Sequence, residues 1–219
     1  MMAMFTISLS GAILNLYINQ LSIYSGTPLY VDTILTISIT LVCGLFWGSL
    51  CGALTNAISN TIWFWGWEGY LFSICNIATA VTTWFFMHLF PRELEMNNAK
   101  QKISPVIYKS GKLSIIIDRM ITLILLAFAL CLVMSIFGGL IAAFILSYSK
   151  GRFEETNISA ILAATMFGQN FPVVLTEIFS RIPVNIIDRL ISVFAGYGIA
   201  LGLKSFFKIF SVRPKPSSS

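Results

Sequence analysis

Charge is scarce in this chain. Only 11% of its residues are Asp, Glu, Lys or Arg, while 57% are hydrophobic, a balance too apolar for a water-soluble domain. Histidine is scarcer still: His88 stands alone, which excludes a metal site built from several histidines. The cysteines Cys43, Cys51, Cys75 and Cys131 form no CxxC pair and lie inside apolar runs, where a thiol packs as a small hydrophobe. No glycine-rich loop ending in Gly-Lys-Ser/Thr occurs, so the chain carries no P-loop phosphate cradle. Neither a nucleophile beside a base nor a pair of metal ligands is apparent, which argues against an enzyme and against a resident cofactor or metal. Positive charge is missing altogether before Arg92.

What is abundant is continuous apolar sequence. Mean hydropathy is +0.84, and the apolar runs extend for roughly 17 to 25 residues, the length of a membrane-spanning helix. They do not alternate in segments of about ten, as barrel strands do. An all-α integral membrane protein follows, with the lipid bilayer as its solvent. The net charge of +5 does not point to nucleic acid here. The basic residues gather between Arg92 and Lys112 and in a tail carrying Lys204, Lys208, Arg213 and Lys215, as orientation signals do in membrane proteins.

The pattern predicts one membrane domain over residues 1–210, with spans near 4–21, 32–46, 48–64, 70–90, 113–147 and 184–207. Residues 92–112 are expected to form a cytoplasmic loop and 211–219 a disordered tail. Residues 157–180, interrupted by Gly168, Gln169, Asn170 and Pro172, are expected to lie against the outer face rather than cross. Six crossings put both termini in the cytoplasm, in a cell's inner membrane, and the N-terminus lacks the positive region of a removable signal peptide.

This topology gathers the candidate binding residues at the outer rim. Tyr30 and Asp32 precede the second span. Trp63, Trp65, Trp67 and Glu68 follow the third, with Asn60 just inside it. Gln169 and Asn170 lie in the outer segment, and Asp188 and Arg189 are expected to open the last span. Tryptophan and tyrosine also collect at membrane interfaces without any ligand, and Asp32 at a helix start also suits a cap. Pairing among Asp32, Glu68, Asp188 and Arg189 would satisfy charges that are costly at a bilayer boundary. In the first span Ser8 and Ala12, with Gly11 beside them, make a nearly flat helix face.

The stretches PLYVDTI, GLFWGSLCGALTNAI and RIPVNIIDRLISVFAGYGIAL resemble the substrate-binding S components of energy-coupling factor (ECF) transporters. That resemblance implies a six-helix bundle that captures a vitamin or related micronutrient from outside, and the aromatic rim suits a ring-bearing, heteroaromatic one. It implies as partners a membrane coupling subunit and two ABC-type ATPases, docked through Ser8, Gly11 and Ala12. The other function considered is a membrane-embedded sensor or interaction scaffold.

Overall fold

The computed structural model describes residues 1–27, 29–63, 66–90, 112–148, 165 and 172–211, with the side chains of 112–115 and 206–211 outside that description. Among these residues the protein is all helical. α1 is Met2–Tyr24, α2 Ile34–Cys43, α3 Leu45–Trp63, α4 Ser73–Leu89, α5 Lys112–Tyr148 and α6 Val173–Ser211; a 3-10 turn, Trp67–Phe72, leads into α4. Four stretches are long and apolar enough to cross a membrane: Met2–Tyr24, Trp67–Leu89, Ile116–Tyr148 and Val173–Ser205. Six spans were expected, and four stretches among the described residues meet that length and hydropathy. α2 has 10 residues, about 15 Å of helix against a hydrocarbon layer of about 30 Å. α3 is interrupted along its length by Ser49, Thr55, Asn56, Ser59, Asn60 and Thr61.

Side-chain contacts fix the directions of the helices. Ser8 meets Trp47 and Asn15 meets Thr55, so α1 and α3 run in the same sense. Asn56 bonds the carbonyl of Phe72 at 3.0 Å and Asn60 that of Gly66 at 2.8 Å, which sets α4 antiparallel to α3. Asn185 bonds Ser135 while Gly139 abuts Ile178, so α5 and α6 are antiparallel. Between α2 and α3 the break falls at Gly44, with φ at +91°, a backbone state that L side chains avoid. The Gly44 amide still closes on Thr40 at 3.0 Å, so the turn leaves no orphan donor there.

The shortness of α2 forces the connection before it inward. Asn15, whose side-chain oxygen accepts from the Leu35 amide at 2.9 Å, lies about 13 Å down the axis from the end of α1 at Tyr24. The chain must return over that distance before α2 starts. Gly26, at φ +70°, opens the return. Ser22 then donates to the Leu29 carbonyl at 2.7 Å and Thr27 to the Ser22 carbonyl at 3.0 Å. Residues 31–33 thus sit deep in the bundle without being helical.

Around this return, Ile37 and Leu41 of α2 pack with Leu123, Leu126 and Leu130 of α5 and with Val193, Tyr197 and Ala200 of α6. A second cluster joins Ala12, Val31, Ile34, Leu35, Ile39 and Cys51. The last helix does not start near 184. It runs unbroken from Val173 through Pro183 for 39 residues. Proline removes one amide donor, but α5 fastens both flanks: Cys131 reaches the Ile182 carbonyl and Ser135 holds Asn185. The expected loop before Lys112, most of the expected outer segment 157–180 and residues 212–219 of the tail lie outside the described residues.

Gly196 lets α6 approach the start of α2, and a Cβ there would stand 2.8 Å from the Ile34 carbonyl oxygen; at Gly198 it would meet nothing within 4 Å. Gly196→Ala is expected to destabilise the protein by about 1–3 kcal/mol through overpacking. Gly198→Ala is expected to be neutral or stabilising, since alanine is the better helix former by about 1 kcal/mol. Thermal unfolding of the two variants in detergent measures the difference.

Candidate functional site

Two consecutive residues of α6 hold three consecutive residues of the inward return. The Val31 amide donates to Asp188 Oδ1 at 2.9 Å. Arg189 Nη1 donates to Thr33 Oγ1 at 2.5 Å, and its Nη2 closes tightly on Asp188 Oδ2. Asp32, between them, accepts from Asn76 Nδ2 at 3.1 Å through Oδ2 and faces Arg189 Nη2 at 3.8 Å through Oδ1. Asp188 and Arg189 are completely enclosed, whereas the Asp32 side chain keeps 15% of its surface. The cluster lies about 24 Å along α6 from Val173, well inside the apolar bundle.

Such a position is expensive. Two carboxylates and one guanidinium out of water are tolerable only when they satisfy one another. Val31 adds a further cost: it is β-branched and held at φ +34°, a conformation worth of order 1–3 kcal/mol of strain.

The cluster continues upward along one face of α6. Glu177, Arg181, Asn185, Asp188 and Ser192 recur at helical spacing and are all buried, with Glu177 paired to Arg181 at 3.4 Å. Cys75 lies within electrostatic reach of Asp32, Arg181 and Arg189, so the charged tract faces α4.

The structure brings Asp32, Asp188 and Arg189 together. It places the last two in mid-helix rather than at the opening of a span. Asp32 does not cap α2, whose N-cap is Thr33 without a side-chain bond. Among the described residues Glu68 joins none of these ion pairs; it is half-buried at the turn after Gly66. Tyr30 is half-buried beside Val31. Trp63 and Trp67 are 40% and 49% exposed, and Trp67 packs edge-on against Tyr148 at 5.5 Å. Trp63 lies about 16 Å up α3 from Gly52, which packs on Asn76, so the aromatic rim and the charged cluster are separate levels of the bundle. Asn60 spends its amide nitrogen on the turn at Gly66. Trp65, Gln169 and Asn170 lie outside the described residues. Ser8, Gly11 and Ala12 are buried: Ser8 donates to the Trp47 carbonyl at 3.1 Å, and a Cβ on Gly11 would meet Cys51 Sγ at 3.2 Å.

Val31 and Thr33 were not singled out by sequence, because their part is played by a backbone amide and a hydroxyl. The available signal was the Asp188–Arg189 pair inside an apolar run, which demands buried partners somewhere in the fold. Arg189→Met is expected to cost about 3–5 kcal/mol, since it leaves Asp188 buried without its cation. Glu68→Gln, outside the cluster, is expected to change stability by about 0.5 kcal/mol or less. Both are read by thermal unfolding in the same detergent.

Residues 1–140 match a family model described as the protein O-mannosyl-transferase TMEM260 N-terminal domain. No curated protein and no solved structure matches the chain. The family match overturns the resemblance to ECF S components and, with it, vitamin uptake, the coupling subunit and the ATPases as partners. The stretches behind that resemblance are short; their glycines serve close helix packing, Gly48 on Thr40, Gly52 on Asn76 and Gly196 on Ile34, while their charged residues form the cluster described above. The sensor or scaffold alternative gains no support either. The expectation that no enzyme is involved is likewise corrected, for the family is described as a transferase. The sequence argument looked for a nucleophile with its base or for paired metal ligands, and transfer of a sugar to a hydroxyl requires neither in the protein when one carboxylate serves as base. With the match extending over more than half its length, the chain belongs to the TMEM260 N-terminal domain family.

Proposed function

We propose that this chain is the membrane-embedded part of a glycosyltransferase that moves a mannosyl group onto a protein hydroxyl, with Asp32 as the base. The family description supports the reaction class. The observation that carries the assignment of the site is Asp32 itself: a carboxylate on non-helical backbone, deep among apolar helices, still partly reachable and held near but not against a guanidinium.

In this reaction the acceptor hydroxyl oxygen bonds to the anomeric carbon of an activated mannosyl donor. The bond from that carbon to its leaving group breaks and the leaving group takes the electron pair. The hydroxyl proton passes to Asp32 Oδ1. Protonation removes one negative charge from the cluster, leaving Arg189 balanced by Asp188 alone. The neighbouring guanidinium also offers positive potential to the negative charge that develops on the leaving group. Low local dielectric strengthens both effects.

The orientation follows from charge. α1, α3 and α5 run in one sense and α2, α4 and α6 in the other, so the start of α1, the end of α4, the start of α5 and the end of α6 fall on one side of the bundle, and the basic segment 92–112 follows α4 in the sequence. The positive-inside rule makes that side cytoplasmic. The rim at Trp63, Trp67 and Tyr148, above Asp32, then faces the opposite compartment, and substrate enters from there.

The test is mannosyl transfer to an acceptor peptide by the full chain in lipid. Asp32→Asn is expected to lower the rate by about 10²-fold or more with the unfolding temperature preserved, and to abolish the acid limb of the rate profile. Trp67→Ala, at the rim, is expected to lose less than about tenfold, as a group remote from the reacting atoms. A fully active Asp32→Asn protein would refute the site.

A further inference from the structure

Arg189 faces two carboxylates and treats them unequally. It closes on Asp188, yet stays 3.8 Å from Asp32, beyond direct hydrogen-bond reach. Asp188 meanwhile spends its other oxygen on the Val31 amide, at a β-branched residue in a left-handed conformation that an unsupported chain would leave. Asp188 is thus tied to the residue before Asp32 and, through Arg189, to Thr33 after it.

We infer that Asp188 is a positioning residue: it holds Arg189 and the Val31 amide so that the arginine stays short of Asp32 and one Asp32 oxygen remains available for a proton. The inference rests on the proposed role of Asp32. The groups facing Asp32 are Arg189 and Asp188 from α6, Asn76 and Cys75 from α4, and Thr33 beside it. Among the acids, Asp188 is the nearest competitor for the guanidinium. Without it, Asp32 is the carboxylate left facing Arg189 among the described residues, and a direct pair would hold the Asp32 carboxylate ionised and occupied.

A hydrophobic carbodiimide tests this without any transfer reaction. Dicyclohexylcarbodiimide takes the proton of a carboxylic acid on nitrogen while the carboxylate oxygen adds to its central carbon; the adduct rearranges to a stable N-acylurea located by peptide mass spectrometry. Val31→Gly serves as the background, because glycine takes the positive φ without help from Asp188 and keeps the return folded when Asp188 is changed. At pH 7, labelling of Asp32 in Val31→Gly/Asp188→Asn is expected to fall at least fivefold below Val31→Gly. Adding Arg189→Gln is expected to restore it. Equal labelling with and without Asp188→Asn overturns the inference, as does a loss that Arg189→Gln fails to reverse.

Kinetics give a second reading. Val31→Gly/Asp188→Asn is expected to lose at least tenfold in kcat relative to Val31→Gly with KM within twofold, and a change carried by KM instead overturns a positioning role. Should Asp32→Asn retain full transfer activity, the proposed base falls, while the labelling comparison still decides whether Asp188 holds Arg189 away.

Discussion

Backbone that is not helical cannot sit inside an apolar bundle unless the protein itself satisfies it. This constraint organises the molecule. Because α2 covers only about half the span, the preceding residues must descend to meet it, and each finds a polar partner on a neighbouring helix. Asn15 serves the Leu35 amide, Asp188 the Val31 amide and Arg189 the Thr33 hydroxyl. The price of these partners is buried charge. The proposed role of Asp32 rests on that charge.

The two levels of the bundle divide the work. Near the rim, side chains such as Trp67 and Tyr148 keep aromatic surface exposed, as suits a boundary between water and lipid. Below it, Gly52 allows α4 to lie against α3 and Gly196 allows α6 to lie against α2. Close approach of these backbones places Asn76 and Arg189 on either side of Asp32. The small residues are thus as much a part of the site's construction as the charged ones, although none bears a reactive atom.

Much of the helical framework was legible in the sequence, since long apolar runs have one stable form in a bilayer. A break between two short runs was expected near residue 47, and the chain turns three residues earlier at Gly44, where only glycine takes the positive φ readily. Asp32, Asp188 and Arg189 could be named because charges in apolar surroundings must find each other. Their depth could not: hydropathy records length and polarity, not the level at which α1 and α2 overlap, which Asn15 and Gly11 set by their contacts with Leu35. The start of the last helix was misplaced for a related reason, since its first turns precede Pro183. Proline predicts a break when a helix stands alone, whereas here the contacts of Ile182 and Asn185 with α5 carry the helix through. The family could not be read from short glycine-rich motifs, whose composition any tightly packed membrane helix shares.

The bond between Val31 and Asp188 joins residues 157 positions apart. During synthesis Asp32 is therefore made long before Arg189, the cation it faces in the folded protein. The early helices can form and pair, but the site is assembled only when α6 arrives, so a nascent chain stalled before Arg189 presents a membrane quality-control system with a carboxylate that has no cation.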